Sequence, residues 1–150
     1  MRLLSLSCCL AAAIAATPAI AGDGMIHQKA SGSVSETVAA FTKILESKGA
    51  TVFATVDHAK GAAQVDMALA PATLVIFGNP KIGTPLIQAA PTMGADLPLR
   101  VLFYEDSDGN THIAYHDLGK IAAQHGIPAD HPALAKAKGA LKNLTGAVAK

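Results

Sequence analysis

Residues 99–116 read LRVLFYEDSDGNTHIAYH, and this stretch indicates the fold class. Two runs rich in β-branched and aromatic residues, Leu99–Glu105 and Thr111–His116, are typical of β-strands. The link between them contains Asp108-Gly109, a pair that favours the tight turn of a β-hairpin. The sequence therefore predicts two neighbouring antiparallel strands in this part of the chain.

Further elements are predicted on both sides of the hairpin. Ser33 and Glu36 have the spacing of a capping box, so we expect a first helix from there to Gly49. The apolar run TLVIF at 73–77 is typical of a central strand covered on both faces. Other strands are predicted over 25–30 and 51–56, and other helices over 84–92, 117–125 and 130–148.

The predicted order of elements is β-α-β-β-α-β-β-α-α. Because at least one strand pair is antiparallel, we expect an α/β chain of the α+β type with a mixed β-sheet and packed helices. The length of 150 residues corresponds to one compact domain. With 12 basic against 11 acidic residues and 4% aromatic residues, the chain lacks the charge and the stacking side chains of a nucleic-acid binder. We therefore expect no nucleic-acid partner.

The first 21 residues, MRLLSLSCCLAAAIAATPAIA, have the pattern of a secretory signal peptide. Arg2 precedes an apolar run, and small residues at Ala19 and Ala21 predict cleavage after Ala21. The uninterrupted apolar run is shorter than the about 20 residues of a membrane-spanning helix. We expect a periplasmic or secreted domain over 22–150, with no membrane span after cleavage.

Cleavage changes the chemistry available to the domain. Both cysteines, Cys8 and Cys9, leave with the predicted signal peptide, as does one of the 12 basic residues. The mature chain then has 11 basic and 11 acidic residues and no thiol. Disulfides and cysteine-based cofactors are therefore excluded for the mature domain.

The segment 78–85, GNPKIGTP, is the first candidate for a functional site. It leaves the predicted central strand and enters a helix predicted to begin with Thr84 as N-cap and Pro85 at the first position. Helix N-termini attract anions, and Lys81 adds a full positive charge. We expect a small, anionic ligand to bind this loop, near His58, through Gly78, Asn79, Lys81, Gly83 and Thr84. The alternative is a turn without a ligand.

A second candidate lies at Asp57-His58, where a strand is predicted to end. A carboxylate beside an imidazole can orient it as a general base or a metal ligand, so the alternative function is an enzyme or a metal-binding protein that uses Asp57, His58 and His116. The plainer interpretation is that Asp57 caps the next turn. His112 and His116 are about 13 Å apart on a strand, too far to share a metal ion. No cofactor motif is present, so we expect neither a metal nor an organic cofactor.

The last predicted helix supports a third possibility. It carries several lysines and no acidic residue after Asp130. Such a charge pattern is usual for a solvated helix face, but it also fits a non-catalytic module that forms a homodimer or docks a partner through this helix.

Several short motifs together resemble the domain-of-unknown-function family numbered 302. They are Asp57-His58, the segment FGNPKIGTPL at 77–86, LPLR at 97–100, EDSDG at 105–109 and YHD at 115–117. The resemblance runs from about Val34 to Gly126 and implies a compact α/β domain with a mixed sheet. It implies no activity. The helical stretch from Ile127 to Lys150 lies outside these motifs, so we expect it to be a C-terminal extension.

Overall fold

The computed structural model describes residues 24–150. The predicted signal peptide and its cleavage site lie outside the described residues. The described strands are β1 (Met25–Lys29), β2 (Thr51–Asp57), β3 (Ala72–Gly78), β4 (Leu99–Glu105) and β5 (Thr111–His116). The helices are α1 (Val34–Ser47), α2 (His58–Ala63), α3 (Pro80–Ala89), α4 (Leu118–Gln124) and α5 (Pro132–Gly146), with a 3-10 turn at Pro91–Ala95.

The five strands form one sheet in the order β1-β5-β4-β3-β2. The predicted α+β class, with one sheet and packed helices, is confirmed. The expected mixed sheet is wrong in one respect: each of the four pairings is antiparallel, so the described strands include no parallel pair. An antiparallel hairpin does not show how the remaining strands pair. Strands β1 and β2 occupy opposite edges of the sheet, and α1 connects them.

One face of the sheet packs against α1 and α5. Its inward side chains include Val75, Phe77, Val101, Phe103 and Ile113, each at most 2% exposed. Phe41 from α1 contacts two of these rings, with centroid distances of 5.3 Å to Phe77 and 5.1 Å to Phe103. This aromatic and aliphatic cluster forms the main core.

A second apolar cluster lies between α3, α4 and α5. It includes Leu86, Met93 and Leu134, which are fully buried. Helix α5 contributes to both clusters, because Leu141 packs in the main core while Leu134 and Ala137 pack in the second. The last helix is therefore part of the folded core, and its apolar side is not free to dock a partner.

Several local predictions are confirmed. Ser33 caps α1, and the Ser33–Glu36 capping box is complete. The hydrogen bond from the Ser33 hydroxyl lowers the pKa of Glu36. Gly49 and Gly109 have φ angles of 69° and 78°, the left-handed region that glycine adopts without steric cost. The helix predicted over 117–125 is α4, which Asp117 caps by accepting a hydrogen bond from Gly119 N at 2.8 Å.

Two local predictions are wrong. The segment after Asp57 is not a turn but the short helix α2, which Asp57 caps by accepting a hydrogen bond from Lys60 N at 2.9 Å. Strand β3 is not covered on both faces, since only Val75 and Phe77 are buried while Leu74 and Ile76 are half-buried. A continuous apolar run does not distinguish a sheet covered twice from a sheet with one apolar open face.

Candidate functional site

A cavity of about 600 Å³ opens between α1, α3 and α5, at the end of the sheet where β3 finishes. Its walls are mostly aliphatic or aromatic, and they include Ile44, Phe53, Ile82, Ile87, Leu97 and Leu144. This volume lies within the range of about 300–1,000 Å³ found for small-molecule sites. The cavity can therefore take the apolar body of a small ligand.

The start of α3 shapes one wall of the cavity, and it differs from the prediction. Asn79, not Thr84, is the N-cap, and its Oδ1 accepts a hydrogen bond from Lys81 N at 2.9 Å. Pro80 takes the first helical position, and Pro85 lies inside the helix. Asn79-Pro80 and Thr84-Pro85 carry the same helix-start signal. The earlier start adds a turn that brings Ile82 against the second apolar cluster.

This correction changes the role of the predicted ligand residues. Gly83 and Thr84 are helical rather than parts of a loop, although both still line the cavity together with Gly78 and Asn79. Lys81 is exposed and is not among the lining residues. The structure thus brings four of the five predicted residues to one cavity.

Gly78 and Phe53 fit against each other at the cavity. A Cβ atom on Gly78 would lie 3.3 Å from the Phe53 ring, a tight contact. The β2–β3 register shifts between Val52 and Ala54, so Phe53 occupies a β-bulge, and such bulges redirect side chains. Phe53 was missed in the sequence because nothing local marks a bulge at this position.

The polar groups of the cavity include one charge. Among the described lining residues, Lys48 is the only charged side chain, and the others with polar groups are Asn79, Thr84 and Asn143. Lys48 is exposed and follows α1 directly. The next residue, Gly49, accepts a hydrogen bond from Asn79 Nδ2 at 3.0 Å, so Lys48 lies close to the start of α3. Lys48 was also missed, because chain order does not show which helix ends meet.

The second predicted site, Asp57-His58, lies away from the cavity. In the β2–β3 register Asp57 is opposite Thr73, whereas Gly78 is opposite Thr51. The two ends of β3 are about 17 Å apart, so the prediction that His58 lies near the 78–84 segment is wrong. His58 is exposed at the first position of α2. The Asp57 carboxylate caps that helix, as the plainer interpretation predicted.

His116 is exposed at the end of β5, three strands away from β2. That separation is about 14 Å across the sheet alone. His116 lines a separate polar cleft with Arg100, Asp117 and Lys120. The structure therefore does not bring Asp57, His58 and His116 together. Within residues 24–150, no three His, Cys, Asp or Glu side chains are grouped closely enough to hold a metal ion.

Two other histidines make short contacts with carboxylates. His112 Nε2 lies 2.6 Å from Asp106 Oδ2, and His125 Nε2 lies 2.6 Å from Asp96 Oδ2. His125 Nδ1 also lies 2.8 Å from the Thr92 hydroxyl, so this imidazole joins the 3-10 turn to the end of α4. Neither Thr92 nor His125 lines the two cavities described above. These contacts of His125 hold the 3-10 turn and the end of α4 together.

Comparison with known proteins gives the family. The protein-family model described as "Domain of unknown function DUF302" matches residues 26–150. This chain belongs to the DUF302 family. The match includes α5, so the expectation of a C-terminal extension outside the family domain is wrong. The physical reason is that α5 supplies buried side chains to both apolar clusters of the DUF302 fold.

A solved structure supports the same fold. The crystal structure of an uncharacterized conserved protein DUF302 from Bacillus stearothermophilus has a TM-score of 0.76 to this chain. The two sequences are 16% identical, and the match covers 84% of this chain and 98% of that one. At this identity the likeness establishes the shared fold alone.

Longer relatives carry a segment similar to this domain. Proteins named fluoride-specific ion channel FluC 1 from Brucella suis and Brucella abortus are each 37% identical to this chain over 108 residues. The match covers 72% of this chain but only 42% and 40% of those proteins, so the chain spans about two-fifths of their length. Among residues 24–150 of this chain, no helix is both long enough and apolar enough to cross a bilayer.

Proposed function

We propose that this DUF302 domain binds a small amphipathic anion. The apolar body of the ligand lies in the cavity between α1, α3 and α5, and its negative group lies beside Lys48 and the start of α3. The observation that carries the proposal is the composition of the cavity: apolar walls, a single lysine and no carboxylate among the described lining residues.

The apolar walls provide most of the expected affinity. Each methylene group that leaves water for such walls contributes about 0.8 kcal/mol. Ile82, Ile87 and Leu97 present aliphatic surface, and Phe53 provides an aromatic edge that is 59% exposed without a ligand. A ligand that covers Phe53 and Ile87 would therefore bury apolar surface that now faces solvent.

Positive groups at one end of the cavity determine where the negative group of the ligand lies. The Lys48 ammonium and the partial positive charge at the start of α3 act at the same end of the cavity. Lys81, exposed in the first turn of α3, adds a second positive charge to this region. An exposed cation contributes about 0.2–1 kcal/mol, so Lys48 determines ligand preference more than total affinity.

The names of the Brucella relatives raise the possibility of fluoride itself as a ligand. A bare halide loses its hydration on entering an apolar cavity, and such a loss is costly without compensating polar groups. The few polar side chains of the cavity therefore favour an amphipathic anion over fluoride.

Calorimetry with three probes tests the proposal: decanoate, decanol and sodium fluoride. We expect decanoate to bind, decanol to bind more weakly, and fluoride to give no saturable heat. Ala140→Phe, which fills the cavity from α5, abolishes decanoate binding. The same substitution at the exposed Ala135 of α5 is the matched control and leaves binding unchanged.

A second pair of variants tests the charged end. Lys48→Gln weakens decanoate about two- to fivefold and leaves decanol unchanged, whereas Lys43→Gln on the exposed side of α1 affects neither probe. Absence of decanoate and decanol binding at millimolar concentrations would contradict the whole proposal. Equal binding of both probes, unchanged in Lys48→Gln, would contradict only the anionic end.

No catalytic role is proposed for Asp57, His58 or His116. Asp57 is engaged as a helix cap, His58 is exposed on a separate end of the sheet, and His116 lies three strands away. For the cellular location, we propose export to the periplasm or the medium. The support is the signal-peptide pattern of residues 1–21.

A further inference from the structure

We propose that two copies of this chain associate through the face of the sheet opposite α1 and α5. This open face is formed by the outward side chains of all five strands, with Ala54, Val56, Leu74, Ile76, Leu102 and Ala114 at its centre. The inference does not depend on the proposed ligand, because most of the residues that line the cavity come from α1, α3 and α5, on the opposite side of the sheet.

The strand register makes the apolar centre of the open face continuous. Leu74 lies opposite Val56 on one side and Leu102 on the other, and Leu102 lies opposite Ala114. Val56 is 40% exposed, Leu74 and Leu102 are half-buried, and Ala114 is 2% exposed. An antiparallel sheet with one solvated face normally alternates apolar and polar residues. Here β3 is apolar on both faces, so its open face offers an apolar surface to a second copy.

Charged groups lie only at the margin of the open face. Its lysine and arginine residues within the described strands are Lys29 at the end of β1 and Arg100 at the start of β4. The three histidines of this face lie on β1 and β5, where His112 contacts the carboxylate of Asp106 from the β4–β5 turn. Arg100 already has a partner in Asp96, at 3.6 Å. An apolar centre with a polar rim is the usual anatomy of a protein interface. If a twofold axis passes near Leu74, the apolar residues of one copy meet the same apolar residues of the other copy. The cations then stay at the rim.

The size of the open face fits a small homodimer. Five strands about 4.8 Å apart, each contributing about six residues of about 3.4 Å, give a face of about 24 Å by 20 Å. Covering it on both copies removes roughly 1,000 Å² from solvent, which is the lower limit for a specific interface. Two sheets stacked in this way form the layered packing of a β-sandwich.

The docking predicted through the last helix rests on its exposed lysines, so the open face is a separate surface. The apolar residues of α5 are buried in the two core clusters of the chain. The exposed apolar surface also continues beyond the strands. Val65, Met67 and Leu69, exposed by 64%, 66% and 53%, lie on the segment that leads directly into β3.

Light scattering of the purified, exported protein at about 100 µM tests the proposal. We expect the native protein to have twice the mass of the single chain, which is measured under denaturing conditions. Val56→Lys raises the dissociation constant of the dimer at least tenfold, so the measured mass falls to that of a single chain. Its neighbour Thr55 is also exposed on β2 but points to the other side of the sheet, so Thr55→Lys is the matched control and stays dimeric.

A second variant, Ile76→Glu, distinguishes loss of the dimer from misfolding of the chain. Ile76→Glu places a carboxylate opposite Arg100 on the same face, where a cross-strand ion pair supports the single chain. We expect a folded monomer with an unchanged far-ultraviolet circular dichroism spectrum. A single-chain mass for the unmodified protein at 100 µM would overturn the proposal. A dimer that persists in both Val56→Lys and Ile76→Glu would overturn it as well.

Discussion

Asp106 has a carboxyl group that the β4–β5 turn keeps unusually acidic. The backbone N–H of Asn110 donates to its Oδ1 at 2.8 Å, and His112 Nε2 lies 2.6 Å from its Oδ2. The hydrogen bond from Asn110 is the largest cause and the contact with His112 the second, and together they hold the pKa of Asp106 at about 2. The ordinary value is 3.8, so the folded protein binds this proton more weakly than the unfolded chain does.

This pKa shift predicts a loss of stability in acid. Because the folded pKa is the lower one, the contribution of Asp106 is complete above about pH 4 and disappears as pH falls towards about 2. Asp106→Asn is therefore less stable than the unmodified protein at pH 7, and the difference shrinks at pH 2. Urea unfolding at pH 7, 4 and 2 measures it, with Asp108→Asn in the same turn as control. A difference that is constant over this range would contradict the prediction.

Short-range roles of single residues were predictable from the sequence, whereas long-range roles were not. Ser33 and Asp117 act on backbone groups two or three residues away, so their capping roles follow from local spacing. Asp57 had two predicted roles, and the local one, capping α2, is the one observed. Lys48, Phe53 and the pairing of His125 with Asp96 depend on contacts between distant segments, which no local pattern reports.

Among the elements, α3 shows how two equal local signals are resolved. Asn79-Pro80 and Thr84-Pro85 both fit a helix start, and propensity does not separate them. The longer helix packs Ile82 and Leu86 against the second apolar cluster. Tertiary packing thus selects the earlier start and converts a predicted ligand loop into one wall of a cavity.

Helix α5 gives a test at the scale of elements. Leu134 is fully buried in the second cluster, so Leu134→Ala removes apolar contacts and leaves a void. We expect the free energy of unfolding to fall by about 2–5 kcal/mol, as measured by urea denaturation. Lys136→Ala, two residues away and exposed, changes it by about 0.5 kcal/mol or less. Similar values for both variants would indicate that α5 is a dispensable addition.

At the scale of the whole molecule, the predicted cleavage of residues 1–21 during export can be tested. If residues 1–21 are a cleaved signal, the protein recovered from the periplasm of a bacterial host begins at Gly22 and contains no thiol. Intact mass and maleimide labelling measure both properties in one preparation. Ala21→Arg removes the small residue at the predicted cleavage site and leaves the two thiols attached, whereas Ala16→Val in the apolar run is processed normally. A full-length chain with two reactive thiols from the unmodified sequence would contradict the prediction.

The sequence by itself determined the α+β class, the β4–β5 hairpin, most helix and strand positions, and the near-neutral charge of the domain. These properties depend on interactions within about ten residues, or on composition alone. Only the tertiary structure decided that α3 starts at Pro80, that Lys48 and Phe53 share a cavity with Asn79, and that β3 has an open apolar face. Cavities and uncovered faces arise where distant segments meet or fail to meet. Their free energies belong to the packed molecule, so no short stretch of sequence encodes them.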